Sequence, residues 1–524
     1  MSEILEVPPL SHEEHLVHEG HDESAHVFLA TFIALMVFFF VGAGIVEKFK
    51  PAVGHETGTT ILLGMLCSYC FWQMYGTSKA KAFTFSHEAF FDFYLPPVIF
   101  NSGFNMRKKK FFQNLGNIFI FGLFVTFTCF AIYSVATWYL INHMEFTMTN
   151  YYGLEHPEED IGQNPFPVQV DTMKILLITA LLCSSDVVAA VSIVDYSKQP
   201  KLFSCIFGEG VVNDIVSIIL FNTILSLQSV TFTATTPFVI LFQFILLGFV
   251  SLTIGLLFGF LTSFIFKHAG FLRVNAVTET FLILALSMLS YFVAEMTELA
   301  GIRMSGIISL LTCGIIQSHY TYYNLSPQGK ITSTLTIRFL GTAAEAGIYS
   351  YIGLSLYSNL SGWWSWDFII YETIIVIIGR FSAIFICFYT FNLCFKSRTI
   401  NARELFFIGW GGMIRGAIAF ALVLRIPKVG EESCTSADPE KDCYSAQNFD
   451  LMVTTTFVLV VFTTLVFGTF MALMGRILVP PQKKDDEEAS HHDPNESHHH
   501  LIEHPNEVPD LDDTVIEAKE GEVV

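Results

Sequence analysis

The chain has 524 residues, of which 52% are hydrophobic and only 15% charged, and 53 of them are phenylalanine. Such a composition, with a mean hydropathy of +0.52, excludes an ordinary soluble globular protein and points to a polytopic membrane protein. The formal net charge of -20 belongs to the tails: residues 1–26 hold seven acids and no Lys or Arg, and residues 482–524 hold fourteen acids against three lysines. The membrane body is close to neutral, which argues against nucleic acid as a partner.

In chain order, apolar runs separated by polar or Gly/Pro breaks predict thirteen spans: 27–47, 57–75, 88–105, 115–142, 172–195, 202–228, 237–266, 276–298, 302–318, 334–357, 366–395, 403–425 and 449–478. Lys48, Lys50, the run Arg107-Lys108-Lys109-Lys110, Lys198, Lys201, Lys267, Arg273, Lys330, Lys396, Arg398, Arg403, Lys483 and Lys484 fall on one side, which the positive-inside rule makes cytosolic. The loops at 143–171 and 426–449 are poor in Lys and Arg and carry acids, so the N-terminus is expected outside or in a lumen and the C-terminal tail in the cytosol. The expected organisation is an acidic, His-rich segment over 1–26, one integral domain over 27–480, and a short acidic disordered tail over 481–524. The first 26 residues lack the basic start of a cleavable signal peptide.

Most of the ten cysteines lie in apolar segments and read as small hydrophobes. Cys67 and Cys70 have a redox or metal spacing but no second pair and no His partner, so a metal site is not expected there. Cys434 and Cys443 lie in a polar loop and are open to either a disulfide or free thiols. The histidines at 12, 15, 18 and 21, and those at 491, 492 and 498–500, read as solvated tails, with metal binding or pH sensing as the less favoured alternative. Asn359-Leu360-Ser361 is a glycosylation sequon on the non-cytosolic side.

Chemistry concentrates in the fifth and sixth spans, where Asp186, Glu209 and Asp214 sit within apolar sequence. Charge at bilayer depth costs at least roughly 2.5–3.5 kcal/mol on insertion scales, so acids there mark an ion or proton path. The serines of Cys183-Ser184-Ser185-Asp186 and the glycines of Gly409-Trp410-Gly411-Gly412-Met413-Ile414-Arg415-Gly416 invite helix breaks in the fifth and twelfth spans, since freed backbone needs protein or water to satisfy it. These spans hold corresponding places in two six-span sets, as an inverted repeat of a secondary transporter requires. The plainer reading is that the glycines only let helices pack closely. Spans ten to twelve add Glu345, Arg380 and Arg415. Glu209 and Arg380 are expected to form a structural ion pair, leaving Asp214 without a permanent partner and able to hold a proton or a small cation. Asp214, Asp186, the Ser185 hydroxyl, freed carbonyls and water supply the oxygen ligands that a hard cation wants. No Gly-x-x-x-x-Gly-Lys-Ser/Thr loop occurs and nothing suggests a catalytic triad, so ion gradients rather than ATP are the expected driving force, with no cofactor and no enzymatic activity.

At these residues the chain resembles the sodium/proton exchangers of the cation–proton antiporter superfamily. Gly208-Glu209-Gly210-Val211-Val212-Asn213-Asp214 is similar to the family's Gly-Glu-Ser-x-x-Asn-Asp signature. Phe90-Phe91-Asp92-Phe93-Tyr94-Leu95-Pro96-Pro97-Val98-Ile99-Phe100 resembles the amiloride-linked segment, and Arg415-Gly416-Ala417-Ile418-Ala419-Phe420-Ala421-Leu422 the second broken helix. His55-Glu56-Thr57-Gly58, Phe111-Phe112-Gln113-Asn114-Leu115-Gly116 and His319-Tyr320-Thr321-Tyr322 are most similar to the organellar, endosomal branch. The resemblance implies an all-α fold of thirteen transmembrane helices in two inverted repeats, with helices 5 and 12 broken and crossed. It further implies a homodimer with a moving core and electroneutral exchange of Na+ or K+ for H+. Asp214 is then the ion-binding acid, Asn213 its neighbour, and Asp186 with Ser185 the contribution of the fifth helix; Arg415, Gly411 and Gly412 support the other broken helix. It places the protein in an endosomal or Golgi-type membrane, with the plasma membrane as the alternative. Two departures stand out: Val187 where the family has Pro after the Asp, and Gly210 where it has Ser. The altered fifth-helix motif, Ser185-Asp186-Val187 where the family reads Thr-Asp-Pro, motivates the runner-up, a cation channel or transport-inactive sensor on the same scaffold.

Overall fold

The computed structural model describes residues 12–49, 54–81, 89–106, 108–150, 165–168, 170–194, 199–227, 233, 235–271, 275–296, 304–356, 362–395, 401–428 and 445–479. The acidic tail, the Cys434–Cys443 loop and the Asn359 sequon lie outside these residues, as do the side chains of the N-terminal histidines.

The helices in chain order are α1 (His12–Phe49), α2 (Glu56–Lys81), α3 (Leu95–Phe104), α4 (Leu115–His143), α5 (Thr172–Leu182), α6 (Val188–Ile193), α7 (Pro200–Ser226), α8 (Thr236–His268), α9 (Ala276–Met296), α10 (Gly306–Ile316), α11 (Pro327–Leu354), α12 (Trp366–Phe395), α13 (Ala402–Gly411), α14 (Ala417–Leu424), α15 (Ala446–Gly468) and α16 (Met471–Leu478). A short helix, Lys108–Gln113, precedes α4. Among the described residues, helices occupy most of each expected apolar span, with non-helical stretches at 183–187 and 412–416. Among the described residues seven continuous helices are long and apolar enough to cross a membrane: α4, α7, α8, α9, α15 and the stretches His26–Val46 and Trp366–Phe391. The chain is therefore a multi-pass integral membrane protein.

Helix starts follow local chemistry. Pro stands in the first turn of α7, α8 and α11, where its missing N–H costs nothing. Ser326 and Ser445 cap α11 and α15 through their hydroxyls, and Asn401 with Glu404 forms a capping box at α13. π-helical turns at Phe90–Tyr94, Ile120–Phe124, Gln317–Thr321 and Thr464–Gly468 interrupt or extend helices that periodicity alone reads as continuous. A two-stranded sheet, β1 (Thr147–Met148) with β2 (Phe166–Pro167), lies beyond the end of α4.

The helices pack in two groups. α1, α2, α3 and α8–α11 form one; α4–α7 and α12–α16 form the other, with α7 against α8, and α11 against α14, among the joints between them. Lipid-type exposure is plain on α8, where Phe238, Phe242 and Phe249 project outward. By contrast α7 and α15 are mostly interior, so their polar side chains face protein rather than lipid.

Candidate functional site

Two helix breaks meet in the second group. α5 ends at Leu182, its last turn tightened by the Cys183 and Ser184 N–H groups donating to the Ala180 and Leu181 carbonyls, and α6 resumes at Val188. α13 ends at Gly411, closed in the same way by the Met413 and Ile414 N–H groups on the Trp410 and Gly411 carbonyls, and α14 resumes at Ala417. The Asp186 N–H donates to the Ile414 carbonyl at 2.7 Å, tying one break to the other. A Cβ on Gly416 would stand 2.8 Å from the Asp186 Cβ, so this crossing needs glycine there.

Arg415, fully buried, satisfies the backbone that the first break frees. Its Nη1 donates to the Ser184 carbonyl at 2.9 Å and the Cys183 carbonyl at 3.3 Å, and its Nη2 to the Tyr133 Oη at 2.9 Å. A cation over the C-terminal carbonyls of α5 is also the favourable sign for the helix dipole. Its own backbone is held by Thr463 and Thr464 of α15, the N–H on the Thr463 Oγ1 and the carbonyl on the Thr464 Oγ1.

On α7, Glu209 and Asn213 lie one turn apart on the buried side. Arg380 of α12 donates to Glu209, and both are fully buried. Ser185 donates to the same Glu209 oxygen at 3.2 Å while accepting from Asn213 Nδ2. Ser217 donates to Asn213 Oδ1, which also lies 3.0 Å from the Thr126 hydroxyl. Gly412 makes room for the arginine, since a Cβ there would stand 2.2 Å from Arg380 Nη2. A charged pair with no water around it depends on hydrogen bonds to its polar atoms, and here they gather on one Glu209 oxygen, while Glu209 Oε2 and Arg380 Nε are buried without a partner among the described residues.

Asp214 points the other way and is partly accessible. Ser184 donates to its Oδ1 at 2.7 Å, and among the described residues no bond occupies its second oxygen. Asp186 is also partly accessible; its Oδ1 accepts the Val188 N–H at 3.0 Å, at the start of α6, and its Oδ2 accepts the hydroxyl of Tyr349 from α11. The structure thus brings Asp186, Asp214 and the Ser184 hydroxyl to the crossing, whereas Ser185 turns into the Glu209–Arg380 network. Gly411 packs on α6, a Cβ there standing 2.9 Å from the Ala190 Cβ. His55, ahead of α2, reaches α6 through Ser192 at 3.2 Å.

Sequence reasoning overlooked two participants and one further buried acid. Tyr349 carries no motif signal at all. Tyr133 is one aromatic among many. Glu372, fully buried on α12 with one oxygen accepting from Thr137 at 2.6 Å and the other unpartnered, was findable as an acid in an apolar run. Glu345, one turn before Tyr349, likewise keeps one buried oxygen without a partner. Among the described residues no group of three or more His, Cys, Asp or Glu is placed to hold a metal, and Cys67 and Cys70 are free thiols on α2.

The family profile described as "Sodium/hydrogen exchanger, transmembrane" matches residues 34–476. Sodium/hydrogen exchanger 4 of Arabidopsis thaliana is 30% identical over 451 residues, covering 84% of this chain and 78% of that one. The endosomal/prevacuolar sodium/hydrogen exchanger of Saccharomyces cerevisiae is 29% identical over 434 residues, covering 79% and 61%. Among solved structures, the sodium proton antiporter MjNhaP1 of Methanocaldococcus jannaschii superposes with a TM-score of 0.60 at 14% identity, over 87% of this chain and all of that one, a likeness of fold.

Proposed function

Since the chain belongs to the sodium/hydrogen exchanger family, we propose that it exchanges Na+ or K+ for H+ with one-for-one, electroneutral stoichiometry, Asp214 holding either ion in turn. The observation that carries this reading is the position of Asp214: at the crossing of two helix breaks, steadied by one hydroxyl, with an oxygen left open. The neighbouring charges are already spoken for. Glu209 is neutralised by Arg380, and the position before Asp214 is Asn213, a neutral amide held in its own hydrogen bonds. The negative charge of Asp214 is balanced equally by one monovalent cation or one proton, so the exchange is one for one and the whole cycle moves no net charge. Asp186, the Ser184 hydroxyl and freed carbonyls complete an oxygen shell for a hard cation.

Transport requires this shell to face each side in turn. The group α4–α7 with α12–α16 carries every element of the crossing and moves as a unit against α1–α3 and α8–α11, an elevator-type cycle across thirteen membrane passages. The protein works as a homodimer in an endosomal or Golgi-type membrane, or in the plasma membrane, contributing to pH homeostasis. Its N-terminal segment is lumenal or extracellular, and the tail after residue 480 is cytosolic. Arg415, Gly411 and Gly412 hold the second break in place for the ion-binding residues.

The test is proton flux into proteoliposomes carrying a pH gradient, with Na+ or K+ added in turn and voltage recorded. Cation-driven flux without net current, lost in Asp214→Asn, is the expected result. A persistent current that reverses with voltage, or normal flux in Asp214→Asn, overturns the reading.

A further inference from the structure

Tyr349 joins the two helix groups at the site itself. Its ring is buried and stacks on Phe39 of α1, centroids 6.2 Å apart and planes 11° from parallel, which fixes it to the group of α1 and α11. Its hydroxyl, however, donates to Oδ2 of Asp186, in the break between α5 and α6 of the other group. With Val188 on Oδ1, both oxygens of Asp186 accept a hydrogen bond. The bond joins a neutral donor to an anionic acceptor, the stronger kind. A cation drawn to the same carboxylate competes with that bond for its negative charge, so the two weaken each other.

We propose that Tyr349 is a positioning residue for exchange: its hydroxyl, anchored by the Phe39 stack, holds the Asp186 carboxylate and competes with a cation for its charge, so that Tyr349 sets the cation affinity. The proposal rests on the reading that Asp214 and Asp186 hold the transported ion. A hydroxyl that loses this competition has a new acceptor on its own helix. Glu345 lies four residues earlier, where helical side chains are neighbours, and keeps a buried carboxylate oxygen without a partner. The same competition loosens one bond between α11 and the group carrying Asp186, beside the packing of α11 on α14.

The experiment compares wild type, Tyr349→Phe, Asp186→Asn and the double variant, each by cation titration of exchange at alkaline pH and by cation-dependent melting of the purified protein. Tyr349→Phe keeps the ring and its stack and removes only the hydroxyl. It is expected to lower the half-saturating cation concentration by about 5- to 10-fold in both readouts, and this gain is expected to vanish in the Asp186→Asn background. An unchanged or raised half-saturating concentration overturns the proposal, as does an equal gain with Asp186→Asn. A wild type that shows cation-dependent melting but no exchange overturns the transport reading alone, because the melting titration still decides the role of Tyr349; a wild type that shows neither overturns both.

Discussion

Val187 fills the space that Gly210 leaves: a Cβ on Gly210 would stand 2.1 Å from the Val187 Cγ2. Two positions at which the sequence departs from the pattern it resembles, Val for Pro and Gly for Ser, are therefore in contact across α7 and the first helix break. Neither departure stands alone. The break itself survives without proline because Arg415 and the tightened last turn satisfy its carbonyls. Gly210→Ser is expected to push Val187 and the Asp186 carboxylate beside it out of position and to lower exchange at least tenfold, a distortion of roughly 1–3 kcal/mol from overpacking. Val187→Ala in the same chain is expected to restore most of the rate. Exchange assays on the single and double variants check this, and a fully active Gly210→Ser refutes it.

The Glu209–Arg380 pair makes a prediction about stability rather than turnover. Removing one partner leaves a buried charge without compensation, a loss of about 3–5 kcal/mol. Glu209→Gln and Arg380→Met are each expected to lower the melting temperature of the detergent-purified protein strongly. The double variant is expected to melt above either single one, because residues in contact do not add. Additive losses would show that the two charges are stabilised independently.

Arg415 is expected to tolerate no substitution, lysine included. Its fork reaches two carbonyls and the Tyr133 hydroxyl at once, a geometry that a point charge on a flexible stem does not reproduce. Arg415→Lys is expected to keep the protein folded while abolishing cation-dependent flux. Cation-induced melting shifts of the variant, read beside its flux, check whether the ion site or the fold was lost.

His55 supplies a pH prediction. Burial pulls its imidazole below the ordinary value, opposed by the Glu56 and Asp186 charges. In the unfolded chain it protonates near pH 6.5, in the folded chain only at lower pH. Between these the unfolded state binds more protons, so stability falls as the pH drops below about 6.5. His55→Gln is expected to flatten that part of the melting profile. An unchanged slope would assign the acid sensitivity to other groups.

The helices, their approximate ends and the multi-pass character were legible along the chain, because hydrocarbon demands long apolar runs and satisfied backbone, both of which are local properties. The acids Asp186, Glu209 and Asp214 were legible for the same reason: charge in such a run has a cost that composition alone exposes. The glycines and serines also marked where α5–α6 and α13–α14 break. Which hydroxyl meets Asp214 was decided by the fold. Ser184 and Ser185 are adjacent and chemically identical, and only the path of the chain through the break turns one toward Asp214 and the other toward Glu209. Tyr349 reaches Asp186 across 163 positions of sequence, and the fit of Val187 into Gly210 joins two deviations that look unrelated in one dimension. Contacts of that kind depend on how helices pack against one another, and no periodicity or composition within a single segment encodes them.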